Sequence, residues 1–264
     1  MSEAAAAGRR RLPLTLTLLT GAVLAALLLN VALLRSPPRP PPLPLRSAVA
    51  IERRDATGPV RPIPPLKRRE DIAELLQREG KRHGAELGVL WGNFAVHTLA
   101  HWQACETYLL VDLWAHQENY KDVSNLANTQ HEDNMQRTLA QLAPWEAKLR
   151  VCRNYTTACA REVTNGSLDY VYVDARHDRK GVAEDLEHWW PKLREGGILA
   201  GHDYVTQDDG PAQTGQDWTK NADGTVDETG EIVVGAVNDF AQRVGRQVLV
   251  TYREAEWNTW LMRK

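Results

Sequence analysis

From about residue 67 to the C-terminus, short apolar runs alternate with stretches in which apolar residues have helical spacing. This pattern predicts strands at 84–89, 107–112, 148–153, 168–174, 197–203, 247–252 and 258–262. It predicts helices at 68–83, 93–102, 132–142, 179–193 and 233–244. Strands that alternate with helices of this length indicate an α/β fold, with a mostly parallel sheet and helices on both faces. In such sheets ligands bind at the carboxyl ends of the strands.

Charge is distributed unevenly along the chain. Residues 1–70 hold 12 basic and 4 acidic side chains, which leaves 20 basic and 30 acidic side chains for the rest. The acidic balance of the larger part argues against a nucleic-acid groove, because such a groove needs a cationic field. The cysteines, Cys105, Cys152 and Cys159, are too few and too widely spaced for a disulfide framework or a closed zinc site.

The segment 12–34 contains no charged residue. At about 1.5 Å per residue its length as a helix is about 34 Å, enough to cross a hydrocarbon core of about 30 Å. It therefore predicts a single transmembrane anchor after a basic tail at 1–11, with a cleaved signal peptide or an organelle transit segment as alternatives. Arginines flank the span on both sides, and we expect a type II protein with its catalytic domain in the lumen of the endoplasmic reticulum or Golgi.

A proline-rich segment follows at 35–66. Ten of the 14 prolines of the chain lie between Pro37 and Pro65. Such a run favours an extended polyproline II spacer, since proline fixes φ and supplies no amide donor. A ligand for SH3 or WW domains is the alternative. The stalk therefore separates the anchor from a single domain at 67–264.

Acidic residues and glycines lie at the ends of the first two predicted strands. Glu86, Gly88 and Gly92 lie in a loop that leads from the first strand into a helix, and Asp112 ends the second strand. Glycine lets the backbone approach a ligand closely, and a carboxylate in the position of Asp112 can accept hydrogen bonds from ribose hydroxyls. The loop lacks the glycine spacing of a dinucleotide site. The two acids therefore predict a nucleoside-containing cofactor other than a dinucleotide, although either acid alone could be a turn residue.

The chain resembles the class I S-adenosylmethionine-dependent methyltransferases in five segments. These are 86–92 (ELGVLWG), 111–114 (VDLW), 168–177 (LDYVYVDARH), 189–193 (WWPKL) and 196–204 (GGILAGHDY). The resemblance covers residue 80 to the C-terminus and implies a Rossmann-like sheet of seven strands with the last strand antiparallel. It also implies that Glu86 holds the methionine part of S-adenosylmethionine and that Asp112 holds its ribose.

A second group of polar residues follows the fourth and fifth predicted strands. Asp174 ends one strand and His202 and Asp203 end the next, so neighbouring strands deliver all three side chains to one edge of the sheet. Two carboxylates and an imidazole suit a divalent cation such as Mg²⁺ or Mn²⁺. The arrangement is similar to that of metal-dependent O-methyltransferases of the catechol and sugar-modifying kinds, which have acids or an amide in place of His202. Helix capping by Asp174 and turn hydrogen bonds by His202 and Asp203 are the alternatives.

His177 lies three residues after Asp174, where the catechol-type enzymes carry their base. An imidazole titrating near neutral pH can take the proton of an attacking hydroxyl, so we expect His177 to be catalytic. The polar loop 205–230, which contains Trp218, is expected to cover the acceptor. The remaining histidines are predicted to be surface or packing residues: His83, His97, His101, His116, His131 and His188.

These features predict a membrane-anchored O-methyltransferase with a sugar, glycan or small phenolic acceptor. The alternatives are a nucleotide-dependent oxidoreductase, which the glycine spacing disfavours, and a catalytically silent binding domain, which would not need the polar residues after the fourth and fifth strands. For a lumenal domain, Asn154 and Asn165 begin glycosylation acceptor triplets. Asn165 is the better acceptor, because Asn154 follows a strand into the expected cofactor region.

Overall fold

The computed structural model describes residues 61–254 and 257–264. Within them lie six α-helices, which we number α1 (Asp71–Arg78), α2 (Asn93–His101), α3 (Asn128–Gln141), α4 (Thr156–Ala160), α5 (Arg179–Trp189) and α6 (Ile232–Val244). The seven strands are β1 (His83–Leu87), β2 (Thr107–Asp112), β3 (Leu149–Arg153), β4 (Leu168–Val173), β5 (Leu193–Gly201), β6 (Leu249–Val250) and β7 (Trp260–Arg263).

All seven strands form one sheet in the order β3-β2-β1-β4-β5-β7-β6. Strands β1 to β5 pair in parallel, and β7 is antiparallel to both β5 and β6. The strand order steps outward from β1 to β3 and then resumes at β4 on the other side of β1. This reversal opens a crevice at the carboxyl ends of the central strands, where ligands bind in open α/β sheets. The Rossmann-like seven-stranded sheet predicted from the sequence is confirmed.

The sheet is covered on both faces. Every residue of β4 is buried, as expected for a central parallel strand that has helices on either side. One core cluster joins the sheet to α5 and α6 through side chains such as Leu186 and Phe240. The other joins it to α1 and α2 through side chains such as Ile72 and Leu99. The helices are therefore layered on the sheet as the alternating pattern indicated.

The strand ends at the crevice are tied together by backbone contacts. The Asp174 N–H donates to the Leu87 carbonyl at 2.7 Å, and the Gly88 N–H donates to the Val111 carbonyl at 2.8 Å. Gly88 has φ of 81°, and a Cβ at this position would lie 1.8 Å from the Asp174 carbonyl oxygen. No larger residue fits there without moving the backbone. The ends of β1, β2 and β4 therefore meet at Gly88.

Several boundaries differ from the predictions. Strand β5 begins at Leu193, within the predicted fifth helix, because the chain turns at a short helical segment, Trp190–Lys192. The short helix α4 was not predicted. A disulfide joins Cys152 in β3 to Cys159 in α4, and the cysteine spacing did not predict this single bridge. Buried packing begins at Ile63, before the predicted boundary at residue 67.

The predicted basic tail, anchor and most of the stalk lie outside the described residues. Within residues 61–254 and 257–264, no helix has both the length and the apolar character needed to span a bilayer.

A buried ion pair at the amino-terminal edge of the sheet gives a test of the fold. Asp169 is 4% exposed; it accepts from the backbone N–H groups of Arg82 (2.7 Å) and His83 (2.9 Å) and lies 3.2 Å from Arg194 Nε. We expect Asp169→Ala to lower the free energy of unfolding by about 3 kcal/mol, because it leaves buried donors and a cation without their acceptor.

The matched control is Asp239→Ala, which breaks an ion pair with Arg179 at a side chain that is 66% exposed. An exposed pair contributes about 0–1 kcal/mol. Urea denaturation of both variants measures the difference in the free energy of unfolding. Equal losses of this free energy would contradict a structural role for the buried pair of Asp169.

Candidate active site

A cavity of about 1400 Å³ lies at the carboxyl ends of β1, β2 and β4, beside the end of β5. Six of the predicted site residues line it: Glu86, Gly88, Asp112, Asp174, His177 and Asp203. Gly92 and His202 are not among the lining residues. Gly92 instead lies behind the loop at the start of α2, where a Cβ would approach Thr138 Cγ2 at 2.7 Å.

Glu86 lies at the end of β1. We call the part of the cavity that contains Glu86 and Asp112 the cofactor half. It is 2% exposed, and the Tyr108 hydroxyl donates to its Oε2 atom at 2.7 Å. Burial raises the pKa of Glu86 to about 8, although the Tyr108 hydrogen bond opposes that shift. The carboxyl therefore holds a proton at neutral pH until a cation enters beside it. The chemistry of this group fits the binding of a cationic ligand.

Asp112 holds the glycine loop in place. Its Oδ2 atom accepts from the N–H groups of Val89 (2.7 Å) and Leu90 (2.8 Å), and its Oδ1 atom accepts from the Trp114 N–H at 2.6 Å. The side chain is half-buried and lines the cavity. A carboxylate has about four lone-pair sites, so after these three bonds one site on Oδ1 remains for a hydroxyl donor. The residue predicted as a ribose ligand thus also shapes the loop.

Asp174, His177 and Asp203 form a compact cluster in the other part of the cavity, which we call the reaction half. His177 Nε2 lies 3.3 Å from Asp174 Oδ1 and 2.9 Å from Asp203 Oδ2. One ligand atom from each residue lies within 4.8 Å of the others, a spacing at which the three can hold one metal ion. Oxygen and imidazole ligands of this kind suit Mn²⁺, Mg²⁺ or another first-row divalent ion. The donor set therefore fits a divalent cation.

The other nitrogen of His177 is also held. The Tyr120 hydroxyl donates to the Ala175 carbonyl at 3.3 Å, and its oxygen lies 2.7 Å from His177 Nδ1. Asp122 Oδ2 lies 3.5 Å from the same nitrogen. The Asp122 carboxylate and the Tyr120 oxygen can both accept from an Nδ1–H group, so these contacts favour the tautomer with its hydrogen on Nδ1. Nε2 is then the atom that gains or loses a proton.

The charges around His177 favour its protonated form. Burial by itself would lower the pKa of this imidazole, but Tyr120, Asp203, Asp122 and Asp174 together raise the pKa well above its usual value. The pKa of Asp203 is held well below its usual range, since its contacts with His177 and His202 outweigh its burial. The cluster therefore contains an imidazolium among three carboxylates, and a base role requires that this field be reduced.

His202 lies on the opposite side of Asp203. Its Nδ1 atom is 2.7 Å from Asp203 Oδ1, whereas His177 approaches Oδ2 of the same carboxylate. The structure thus brings His177 into the three-residue cluster and leaves His202 outside it. The assignment of His202 as a metal ligand stays a prediction.

The loop 205–230 covers the reaction half. Trp218 is 1% exposed, and its ring centroid lies 4.3 Å from that of His177. The loop is tied to the start of α5 by ion pairs of Lys180 with Asp223 and of Arg179 with Asp227. Three of its aspartates accept from threonines two residues later, which fixes local turns. The polar composition of the loop is thus explained by turns and by contacts with the site.

Sequence reasoning missed several cavity residues. Asp122 follows β2 in a loop with no periodic pattern, and its contact with His177 spans more than 50 residues of sequence. His131 on α3 was assigned to surface or packing, yet it is 6% exposed and lines the cavity. Asp185 on α5 lies in the same wall, and burial raises its pKa to about 7. No short-range signal marks these residues.

Comparison with known proteins supports the fold. Residues 85–204 match a family model described as a methyltransferase domain. A search of curated proteins by sequence finds no match. Among solved structures, a Nostoc punctiforme protein proposed to be an O-methyltransferase has a TM-score of 0.51 at 11% identity, covering 74% of this chain and 55% of that one.

A Bacillus cereus O-methyltransferase solved with S-adenosylhomocysteine has a TM-score of 0.47 at 12% identity, covering 74% of this chain and 80% of that one. The matched domain begins within β1 and ends just after Asp203, so it spans both halves of the cavity. The chain carries a methyltransferase domain over residues 85–204.

Proposed function

We propose that this protein transfers a methyl group from S-adenosylmethionine to a hydroxyl group, with a divalent cation assisting in the reaction half of the cavity. One observation carries the proposal. His177 Nε2 faces carboxylate oxygens of Asp174 and Asp203, while its Nδ1 atom is occupied by Tyr120 and Asp122. Only a proton or a metal ion can stabilise a nitrogen lone pair that points at two carboxylates.

Each half of the cavity has a separate task. S-adenosylmethionine, when bound, supplies a methyl group on a sulfonium sulfur. Glu86 binds the ammonium group of its methionine part, and Asp112 accepts from its ribose hydroxyls while holding the glycine loop.

In the reaction half, His177 removes the proton from the acceptor hydroxyl. Asp174 and Asp203 would hold the cation, which lowers the pKa of the acceptor hydroxyl and reduces the carboxylate field around the imidazole. With Nδ1–H held by Tyr120 and Asp122, Nε2 is the atom that accepts the proton. Asp209 and Gln216 of the loop 205–230 and the aromatic ring of Trp257 also line the cavity. That lining supports a sugar, glycan or small phenolic acceptor.

The membrane-anchored, lumenal arrangement is part of the same proposal. The uncharged segment 12–34 is long enough to span a bilayer. The disulfide between Cys152 and Cys159 supports an oxidising compartment, where such bridges form and persist. Asn165 is exposed in the turn before β4, as a glycosylation acceptor must be.

The cofactor assignment predicts a pH-dependent affinity. Below about pH 8 the Glu86 carboxyl is protonated in the free protein, so binding of a cation must release that proton. We expect the affinity for S-adenosylhomocysteine to rise by up to about tenfold per pH unit between pH 6 and 8, and the slope to disappear in Glu86→Gln.

Isothermal calorimetry in buffers of different ionisation enthalpy measures both the affinity and the released proton. Glu184→Gln, an exposed carboxylate at the rim, is the control and should keep the slope. A wild-type affinity independent of pH would remove the ammonium-binding role of Glu86. Titration with NAD⁺ should give no binding.

From the residues of the reaction half we expect methyl transfer to depend on a metal ion and on His177 as a base. Methyl transfer should fall in chelator and recover with Mg²⁺ or Mn²⁺. His177→Ala should lose about 10²- to 10⁴-fold in kcat with the affinity for S-adenosylhomocysteine unchanged. Mn²⁺ binding to the same variant separates the two roles of His177: a base leaves metal affinity within a few fold, whereas a ligand lowers it strongly. Full activity in chelator would exclude the metal.

Localisation is tested through Asn165. In intact microsomes the catalytic domain should resist protease, and glycosidase should increase its electrophoretic mobility. Asn165→Gln should abolish that shift, whereas Asn154→Gln should not, because Asn154 lines the cavity. Complete digestion without detergent would place the domain in the cytosol and weaken the case for a glycan acceptor.

A further inference from the structure

His131 is a buried histidine without a protein partner for its ring. It lies in the first turn of α3 and is 6% exposed. Within the described part of the chain, neither Nδ1 nor Nε2 has a hydrogen-bond partner. Leaving a buried polar atom unpaired is costly, so a histidine with both nitrogens unpaired requires an explanation.

The cavity supplies that explanation. His131 lines the cavity in the half that also contains Asp112, and His116 lies on the same wall. A molecule that fills this half therefore reaches the surroundings of the ring. The ring could not be satisfied equally well by packing, because apolar neighbours offer no donor or acceptor.

The charge state of the ring restricts what it can bind. Burial lowers the pKa of His131, and His116 and Arg153 add to that effect, while Asp112 opposes it. A neutral imidazole has one N–H donor and one nitrogen acceptor. Asp112 has acceptors alone, so the two side chains together offer what a vicinal diol needs: acceptors for its O–H groups and a donor for its oxygens.

We infer that His131 is a cofactor-binding residue that hydrogen-bonds the ribose hydroxyls of S-adenosylmethionine together with Asp112. The inference rests on the cofactor assigned above. It gives the nucleoside part of the cofactor a second polar contact, from a helix that carries none of the residues predicted from the sequence. His131 thereby couples the position of α3 to cofactor occupancy.

The test compares S-adenosylhomocysteine with its 2′-deoxy and 3′-deoxy analogues by calorimetry. In the wild-type protein we expect removal of at least one hydroxyl to weaken binding by about 30-fold, since it breaks contacts with both side chains. In His131→Phe the parent compound should bind about tenfold more weakly, and the same deletion should cost only about threefold. His188→Phe, an exposed histidine on α5, should behave as the wild type.

Equal discrimination in the wild type and in His131→Phe would overturn the inference while leaving the cofactor assignment intact. Failure of the wild type to bind S-adenosylhomocysteine would overturn both. A second measurement needs no variant: the ring ¹⁵N shifts of His131 should change when S-adenosylhomocysteine binds and should change less with the deoxy analogue that binds poorly. Unchanged shifts with the parent compound would contradict the contact.

Discussion

The close approach of Gly88 to the backbone of Asp174 brings the two halves of the site together. Without a side chain at Gly88, the end of β1 can lie against the end of β4 while it also bonds to β2. Glu86 and Asp112 then face one part of the cavity, and Asp174 and His177 face the other. A methyl donor and a hydroxyl acceptor must meet within a few ångströms, so the geometry of this junction determines whether transfer is possible.

Electrostatics differ sharply between the two halves. In the cofactor half, burial raises the pKa of Glu86 to about 8 and lowers the pKa of His131, so burial favours the neutral form of both side chains before a ligand binds. In the reaction half, three carboxylates surround a single imidazole. The two halves therefore bind cations differently. A cationic cofactor displaces a proton from the buried acid in the cofactor half, whereas a divalent ion binds to the anionic cluster already present in the reaction half.

Regular elements could be predicted because their signals are local. The strand 107–112 was predicted with the bounds observed, and the buried run at Leu168–Val173 marked the central strand. Residues at strand ends were found by the same logic, since parallel strands place their carboxyl ends together. Asp174, His177 and Asp203 lie together for this reason.

The rest of the site depends on contacts between distant segments. Tyr120 and Asp122 contact His177 from a loop without a periodic apolar pattern, and Trp218 contacts it from the loop 205–230. The orientation of His202 away from the cluster depends on the backbone at Asp203, where φ is 54°. The sequence shows which residue follows the end of a strand but not the backbone rotation after that end. It therefore could not predict which oxygen of Asp203 each histidine contacts.

The disulfide at the end of β3 has a consequence for how the protein is made. Cys152 and Cys159 enclose Asn154 and Tyr155, which form part of the cavity wall beside the cofactor half. A bridge around so short a loop restricts the unfolded chain by about 2 kcal/mol in the chain-entropy model. A chain synthesised in a reducing bacterial cytosol forgoes that contribution, whereas one secreted to the periplasm keeps it. The choice of expression host therefore affects the stability of the preparation.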